Sequence, residues 1–338
     1  MKKYFCYFAF VTLLMCSCDS FNKEIREFEK FPNNLTLIAD SVSTQSLYDN
    51  VYLTSYDKYF IVSSFQADTM LHFYSTPDLK YLFGGAIKGH SSEEFESYPT
   101  FCESGGKCLY VRGHNPNIIR KYNIFNNQLQ YDKEYKILLK SIPNDMHLLF
   151  DSLLYYMDFS DHTIRVYNIK DGKESFSIPI RKNLKKAETN MDPDIGCFAA
   201  NNVTAMYAYQ YRKEIEVYDT KKLSCRFRIK WDYKDQYSLL QADKVNDVML
   251  HYTDNVATDN FFYMLYRGYN PKDKALLSHI EVYDNYGNPI INYDLDKKVF
   301  SLSVDEKNGY FYGFGENSDY IYRFKYTIPA IRINKLQQ

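Results

Sequence analysis

The chain lacks the charge and the motifs that mark several common functional classes. Its 338 residues carry 41 Lys and Arg against 42 Asp and Glu, a net charge of −1, so no broad attraction to nucleic acid is expected. It contains no G-x-S-x-G, no P-loop, no H-E-x-x-H and no paired Cys-x-x-Cys. The sequence therefore gives no local signature of a serine hydrolase, a phosphate loop or a zinc site.

Aromatic residues are abundant, although tryptophan occurs only once. The chain has 34 Tyr and 24 Phe, and aromatic residues make up 17% of it. Aromatic and β-branched side chains suit pleated, half-buried surfaces, and no segment shows sustained helical periodicity. The composition therefore favours an all-β protein.

The N-terminus has the pattern of a bacterial lipoprotein signal. Lys2 and Lys3 precede an apolar run from Tyr4 to Met15, which is 12 residues long and so shorter than the roughly 20 needed to span a bilayer. The segment Met15-Cys-Ser-Cys18 then resembles a lipobox, with Cys18 as the lipidated first residue of the mature chain. Cleavage after Cys16 by an ordinary signal peptidase and an uncleaved anchor are the alternatives.

These features divide the chain into three parts. Residues 1–17 are predicted to be a signal peptide, residues 18–34 a lipidated polar tether, and residues 35–338 the folded domain. We expect a monomer anchored in the cell envelope and facing the periplasm, with the choice of membrane left open.

A short motif recurs along the chain. The pentapeptide IEVYD occurs at residues 215–219 and 280–284, and related strands end at aromatic residues in four other places. The intervals between successive aromatic anchors are 48, 45, 51, 65 and 41 residues. The six anchors are Tyr74, Tyr122, Tyr167, Tyr218, Tyr283 and Phe324. A period of this length filled with short strands is typical of propeller blades, so six copies predict a six-bladed β-propeller of four-stranded antiparallel blades.

The connections between these strands predict two unequal faces. Short turns join first to second and third to fourth strands on one face, and the long connectors 84–99, 181–195 and 232–260 lie on the other. The last of these connectors is long enough to hide a strand. Asn34–Ala39 or Ala330–Asn334 is expected to complete the last blade, because an open ring would expose two sheet edges.

Six blades behind a lipoprotein signal resemble the TolB-like six-bladed β-propeller lipoproteins of Bacteroidetes-type bacteria. Many of these carry a segment of the form G-x-x-G-x-G-P-x-E-F, and residues 83–95 read FGGAIKGHSSEEF. Gly89, Glu94 and Phe95 match, Ala86 replaces a glycine, and Ser91-Ser92 stand in place of Gly-Pro. The resemblance implies a fold and a location in the cell envelope rather than a defined activity.

Two pairs of cysteines were considered for disulfides. Cys102 and Cys108 flank a predicted hairpin tip, where an odd-numbered loop would place them opposite each other, and free thiols are the alternative. Cys197 and Cys225 are expected in the first and fourth strands of one blade, roughly 14 Å apart, too far to bond.

Two loop clusters contain oxygen ligands of the kind that Ca²⁺ prefers. One is Asp158, Asp161 and His162, and the other is Glu316, Asn317 and Asp319. Turn formation by Asp and Asn is the alternative for both, so no cofactor is predicted, with Ca²⁺ as the candidate should there be one.

An aromatic and arginine patch is the binding-site hypothesis. Its residues follow the second strands of two adjacent blades and would suit a glycan or peptide, although packing between blades is the alternative. They are Tyr209, Tyr211, Arg212, Tyr266, Arg267 and Tyr269.

The function expected from these observations is binding rather than catalysis. A lipid-anchored propeller would present its long-loop face to a protein, peptide or glycan of the envelope, as a binding or scaffold module. The alternative is a Ca²⁺-dependent hydrolase of the lactonase or esterase type, with its metal in the central tunnel.

Overall fold

The structure is a computed structural model that consists almost entirely of β-strands. It describes residues 24–43, 52–64, 68–91, 93–104, 108–114, 117–139, 143–180, 191–273, 277–315 and 320–329. The first thirteen strands are β1 (Ile25–Phe28), β2 (Asn34–Leu37), β3 (Ala39–Ser43), β4 (Tyr52–Tyr56), β5 (Tyr59–Ser63), β6 (Thr69–Ser75), β7 (Tyr81–Ile87), β8 (Thr100–Glu103), β9 (Leu109–His114), β10 (Asn117–Phe125), β11 (Gln128–Lys136), β12 (Asn144–Leu149) and β13 (Leu153–Asp158).

The second half of the chain continues the same pattern of short antiparallel strands. A helix α1 (Tyr237–Gln241) and a 3₁₀ turn (Val245–Asp247) interrupt it. The remaining strands are β14 (Thr163–Asn168), β15 (Lys173–Pro179), β16 (Gly196–Ala200), β17 (Thr204–Tyr209), β18 (Glu214–Asp219), β19 (Ser224–Trp231), β20 (Leu250–Ala257), β21 (Phe261–Tyr269), β22 (His279–Asp284), β23 (Pro289–Leu295), β24 (Ser301–Asp305), β25 (Tyr310–Phe314) and β26 (Tyr320–Lys325). In the described ranges, no helix has the length and apolar character needed to cross a bilayer.

The six aromatic anchors of the repeat all lie in equivalent strands. They fall in β6, β10, β14, β18, β22 and β26, and each of these pairs antiparallel with the strand before it. The long connector 232–260 does contain a strand, β20. The repeat therefore predicted the order of the strands correctly.

The sheets surround a central channel. The innermost strands β4, β8, β12, β16, β20 and β24 lie side by side in chain order, and β24 lies against β4. A ring of radial sheets closed in this way is a β-propeller.

The hydrogen-bonded sheets differ from six separate four-stranded blades in two respects. Among the described residues there are five sheets, because β8 and β12 pair in parallel at Met146↔Cys102 and His147↔Glu103 and join eight strands into one sheet. The sheets of β16–β19 and β20–β23 each gain a fifth strand from the N-terminus.

The N-terminal segment forms a belt across three sheets. Strand β1 pairs in parallel with β19, β2 pairs in parallel with β23, and β3 pairs antiparallel with β26. Residues 25–28 and 34, which we expected in a polar tether, are thus part of the fold. The last sheet is completed from the N-terminus, by residues 39–43 rather than by 34–39, and residues 330–334 lie outside the described residues.

Residues 215–218 of β18 are buried on both faces of the strand, although alternation of Ile and Val with Glu predicts one apolar and one polar face. Ile215 and Val217 pack in an apolar cluster, as that alternation predicts, but Glu216 is also buried, with 3% of its surface exposed. Neighbouring sheets cover both faces of a propeller blade, so no face is left for solvent. The buried carboxylate accepts hydrogen bonds from the hydroxyls of Tyr209 (3.0 Å) and Tyr218.

The second copy of the pentapeptide repeats this arrangement. Glu281 accepts hydrogen bonds from Tyr252 (2.9 Å) and Tyr283 (2.7 Å), and Lys213 lies 2.9 Å from its other oxygen. The aspartate at the end of each copy, Asp219 or Asp284, accepts backbone N–H groups of the following turn. Each polar residue of IEVYD therefore has a structural role: Glu and Tyr satisfy each other inside the sheet stack, and Asp starts the turn.

Candidate functional site

The central channel contains the candidate site. Its upper cavity, of about 180 Å³, is lined by residues of all six innermost strands. Residues near the beginnings of four of these strands form its mouth: Tyr52, Thr100, Asn144 and Ser301. Since the connectors between sheets enter the innermost strands at this end, the cavity opens on the side predicted to carry the long loops.

Two further cavities lie toward the other end of the channel. They measure about 310 and 230 Å³ and are lined by residues near the ends of the innermost strands. Glu103 lines all three cavities and so lies between the two ends of the channel.

Three carboxylates each bridge two neighbouring innermost strands. Asp145 accepts the backbone N–H of Phe198 (2.9 Å), and Asp254 accepts that of Leu302 (2.7 Å). Glu103 accepts the hydroxyl of Thr54 (2.8 Å). The inner edge of a propeller blade presents backbone groups without a strand partner, and Asp145 and Asp254 satisfy part of that edge.

Burial is the largest cause of the raised pKa values of these carboxylates. Burial raises the pKa of Glu103 and of Asp254 to about 7 and that of Asp145 to about 6, and their hydrogen bonds oppose the shift only in part. Asp145 also raises the pKa of Asp254 through like-charge repulsion. Asp145 is exposed to the channel, and the surrounding channel walls still desolvate its carboxylate enough to raise its pKa.

The basic groups of the upper cavity compensate these charges only in part. Arg112 is buried and donates from Nη1 to the carbonyl of Pro143 (2.6 Å), and burial lowers its pKa. Desolvation lowers the pKa of His114 and of His147 to about 4, so both rings are neutral at pH 7. Three carboxyl groups therefore face one permanent cation.

An aromatic row lies at the mouth of the upper cavity. The rings of Tyr52 and Tyr98 lie 6.3 Å apart at an angle of 11°, and Tyr98 lies 4.8 Å from the ring of His114. Tyr52 is 45% exposed, so its ring is accessible from outside. The mouth thus combines an exposed aromatic face with a polar interior, the composition typical of ligand sites.

The predicted aromatic and arginine patch is wrong as an exposed surface, because its tyrosines are packing residues. Tyr209, Tyr211 and Tyr269 expose 5% or less of their surface. The Arg212 guanidinium lies 3.3 Å above the Tyr209 ring and 2.7 Å from the buried Asp194. Packing within and between sheets accounts for these residues.

The other two members of that patch are also held by neighbours. Arg267 stacks 4.3 Å above the ring of Phe300. Tyr266 packs against His251 and Tyr252 and takes the Lys213 ammonium on its face at 4.2 Å. The structure does not bring the six residues into one accessible surface.

The candidate Ca²⁺ ligands of the third repeat are engaged by an arginine. Arg165 contacts Asp158 at 2.8 Å and also Asp161, and His162 lies 3.0 Å from Asp192. In the part of the chain that the structure describes, no three His, Cys, Asp or Glu side chains are close enough to hold one metal ion. Glu316, Asn317 and Asp319 lie outside the described residues.

Strand register separates the two cysteines of the predicted hairpin. Cys102 pairs with Tyr110, and Ser104 donates its hydroxyl to the carbonyl of Cys108 (2.7 Å). The loop is therefore centred one residue later than a Cys102–Cys108 pairing requires, and both thiols are free. The candidate disulfide is not formed for this reason, and no disulfide joins Cys197 and Cys225.

The glycine-rich segment serves the fold rather than a ligand. Phe95 is buried beneath Arg120, whose guanidinium lies 4.6 Å above its ring and donates to the carbonyl of Glu94 (3.0 Å). Ala86 has a φ of 53°, the left-handed region that favours glycine. This explains the glycine that the TolB-like pattern has at the position of Ala86.

Sequence reasoning missed the carboxylates of the channel and the tyrosine at its mouth. The available signal was an acidic residue in a first strand that also carries buried apolar residues, as in TFCE at 100–103 and NDMHLL at 144–149. Such a residue is expected to face a polar space or a specific partner. Cys18 lies outside the described residues.

Comparison with known proteins supports the fold. No protein-family model and no curated protein matches the chain. A protein of Bacteroides fragilis NCTC 9343 described as exported is 13% identical, with a TM-score of 0.57, over 89% of this chain and 98% of the other. The WD40 domain of Neurospora crassa Pan2 is 8% identical, with a TM-score of 0.48, over 84% and 93%. The first likeness shows a shared fold, and the ring of sheets makes that fold an all-β propeller.

Proposed function

We propose that the protein is a lipid-anchored module of the cell envelope, a six-bladed β-propeller that binds a protein, peptide or glycan on its long-loop face without catalysing a reaction. The closed ring of six innermost strands supports six blades, with the eight-stranded sheet counted as two blades joined by a short parallel bridge. The TolB-like resemblance and the likeness in fold to a protein described as exported support the location in the cell envelope.

The observation that carries the proposal is the mouth of the upper cavity. The exposed ring of Tyr52, stacked on Tyr98, lies beside an opening into a space whose walls carry hydrogen-bonding side chains. The channel carboxylates already accept hydrogen bonds from N–H or hydroxyl groups, which favours recognition over nucleophilic attack. A ligand that stacks on Tyr52 and reaches into the opening fits this arrangement.

Substitution of Tyr52 tests the binding site. We expect Cys18→Ala protein, purified without detergent, to bind members of a glycan or peptide array, and we expect the further change Tyr52→Ala to weaken that binding at least tenfold. The reason is the loss of the aromatic face at the mouth.

Tyr131→Ala is the matched control, because Tyr131 is 46% exposed and lies on the outer strand β11. Its binding should equal that of the parent. Equal loss in both variants, or no array binding by the parent, would remove the proposal.

Cys18 is expected to hold the protein in the membrane. In cells, Cys18→Ala should move the protein from the membrane fraction to the soluble fraction, because the acceptor of the lipid is gone. Two acyl signals are needed for stable anchoring, and a lipoprotein modified at its first residue supplies them.

Cys16→Ala controls for the signal peptide itself. It leaves Cys18 in place and should leave the protein in the membrane fraction and labelled by radioactive palmitate. A Cys18→Ala protein that stays in the membrane, or a Cys16→Ala protein that loses the label, contradicts the lipobox assignment.

A further inference from the structure

The channel is far more acidic than the protein as a whole. Three carboxylates line the upper cavity and five others line the two cavities below it, whereas Arg112 and Lys307 are the only Lys or Arg among the described lining residues. The entire chain has a net charge of only −1. Carboxylates concentrated in a low-dielectric cleft attract cations strongly.

The spacing of these carboxylates suits an extended cation better than a compact one. No three acidic, histidine or cysteine side chains of the described chain approach closely enough to share a metal ion. Apolar side chains line the same cavity as the charged ones, among them Phe101, Phe198 and Val256. A volume of about 180 Å³ is below the roughly 300 Å³ at which drug-sized pockets begin, so the ligand must be slender.

His147 adds an independent indication of a hydrogen-bond donor in the ligand. Its side chain is 3% exposed, lines the upper cavity, and donates from Nε2 to the carbonyl of Phe198 (3.1 Å). Because Nε2 carries the proton of this neutral ring, Nδ1 is an acceptor, and it has no partner in the structure. A buried acceptor without a partner is costly, and an ammonium N–H would satisfy it.

The mouth contributes a second element of cation recognition. The exposed ring of Tyr52 lies at the entrance, and the electrostatic influence of Asp145 and Asp254 reaches its hydroxyl. Ammonium groups are attracted to aromatic faces as well as to carboxylates. The same position thus offers both kinds of partner.

We propose that the channel binds an aliphatic polyamine, with one ammonium group at Asp145 and Asp254 beneath Tyr52, the methylene chain along Phe198 and Val256, and a further ammonium group toward Glu103. This small ligand would share the mouth at Tyr52 with the macromolecule of the proposed function, and it differs from that macromolecule in depending on Asp145, Asp254 and Glu103. The two can be tested independently.

Cation binding is expected to be coupled to proton release from the channel carboxyl groups. With pKa values of about 7 for Glu103 and Asp254 and about 6 for Asp145, these groups are partly protonated between pH 6 and 7. A bound cation favours their ionised forms, so binding releases protons and tightens as the pH rises from 5.5 to 8. Of the other groups facing the cavity, His114 and His147 titrate below this range, and Arg112 and Tyr52 remain in one form through it.

Calorimetry with spermidine tests the proposal on the full-length chain carrying Cys18→Ala. We expect saturable one-site binding at low salt, with proton release visible as a dependence of the heat on the buffer. The double variant Asp145→Asn/Asp254→Asn should weaken binding at least tenfold, while each amide oxygen can still accept the N–H that the carboxylate accepts. The neutral analogue 1,8-octanediol should not bind.

Glu27→Gln/Glu29→Gln is the matched control, because it removes two exposed charges far from the channel. It should bind spermidine as the parent does. Should the double variant fail to fold, Glu103→Gln replaces it, with the same weakening expected. Equal affinity of parent and channel variants, equal binding of the diol, or no heat at millimolar spermidine would overturn the polyamine site. Array binding that depends on Tyr52 would then still support the proposed function.

Discussion

The variant Ile215→Asp is expected not to fold. Ile215 is completely buried in β18, in an apolar cluster that joins two neighbouring sheets through Ile229, Tyr252 and Met264. An aspartate there has no partner among these side chains, so either its charge or its unpaired carboxyl group must be buried. A cost above about 4–5 kcal/mol is comparable to the roughly 5–15 kcal/mol of total stability of a typical domain.

The measurement is thermal unfolding followed by circular dichroism, with yield in the soluble fraction. Ile215→Val is the control, since it keeps the apolar contact and should cost only about 0.5–1.5 kcal/mol. A melting temperature of Ile215→Asp close to that of the parent would show that this strand face is not between two sheets.

Removal of the N-terminal belt is expected to be the other severe change. A chain that begins at residue 44 loses β1, β2 and β3, so β19, β23 and β26 become open edges. It also loses Phe31, which stacks on Trp231 at 4.7 Å, and the buried Leu37. Each fully buried side chain of this size contributes roughly 1.5–3 kcal/mol, and three exposed edges invite association between chains.

We expect this shortened chain to be insoluble or to melt at a much lower temperature than one that begins at Glu24. The chain from Glu24 keeps the entire belt and should match the chain from Asp19. Size-exclusion chromatography and thermal unfolding of the three proteins measure the difference. A chain from residue 44 that is monomeric and equally stable would show that the belt is not needed to complete the ring.

The repeated strands could be predicted from the sequence because the pattern that marks each strand extends over only a few residues. Strands β5, β13 and β25 have the limits expected from the apolar runs at 59–63, 153–158 and 310–314. Backbone hydrogen bonding and turn chemistry act over a few residues, so the spacing of aromatic anchors records the order of strands directly.

The burial of Glu216 and Glu281 could not be predicted from the sequence in the same way. In a sheet with one wet face, alternation of Ile and Glu indicates an outside and an inside. Here neighbouring sheets cover both faces, and tyrosines of the same sheet donate the hydroxyl hydrogen bonds that offset the burial of these carboxylates. The high tyrosine content therefore serves the interior, where each ring fills space and each hydroxyl finds a partner.

The strand register of the Cys102 hairpin could not be predicted from the sequence either, although its two strands are close together in the chain. A shift of one residue in the centre of the loop moves the pairing by two and separates the thiols. Packing of Cys102 with Tyr110 and Met146 in one cluster favours the observed register, and this contact involves a strand from the next repeat.

By itself, the sequence determined that this chain is all-β, built from a repeated unit of short strands, because those features depend on composition and local periodicity. Only the tertiary structure decided that the N-terminal segment binds three sheets, that the aromatic and arginine residues of the predicted patch are interior, and that carboxylates from separate repeats face one channel. These outcomes depend on which residues meet around a closed ring, and residues 48 to 248 positions apart meet there through geometry that no local pattern encodes.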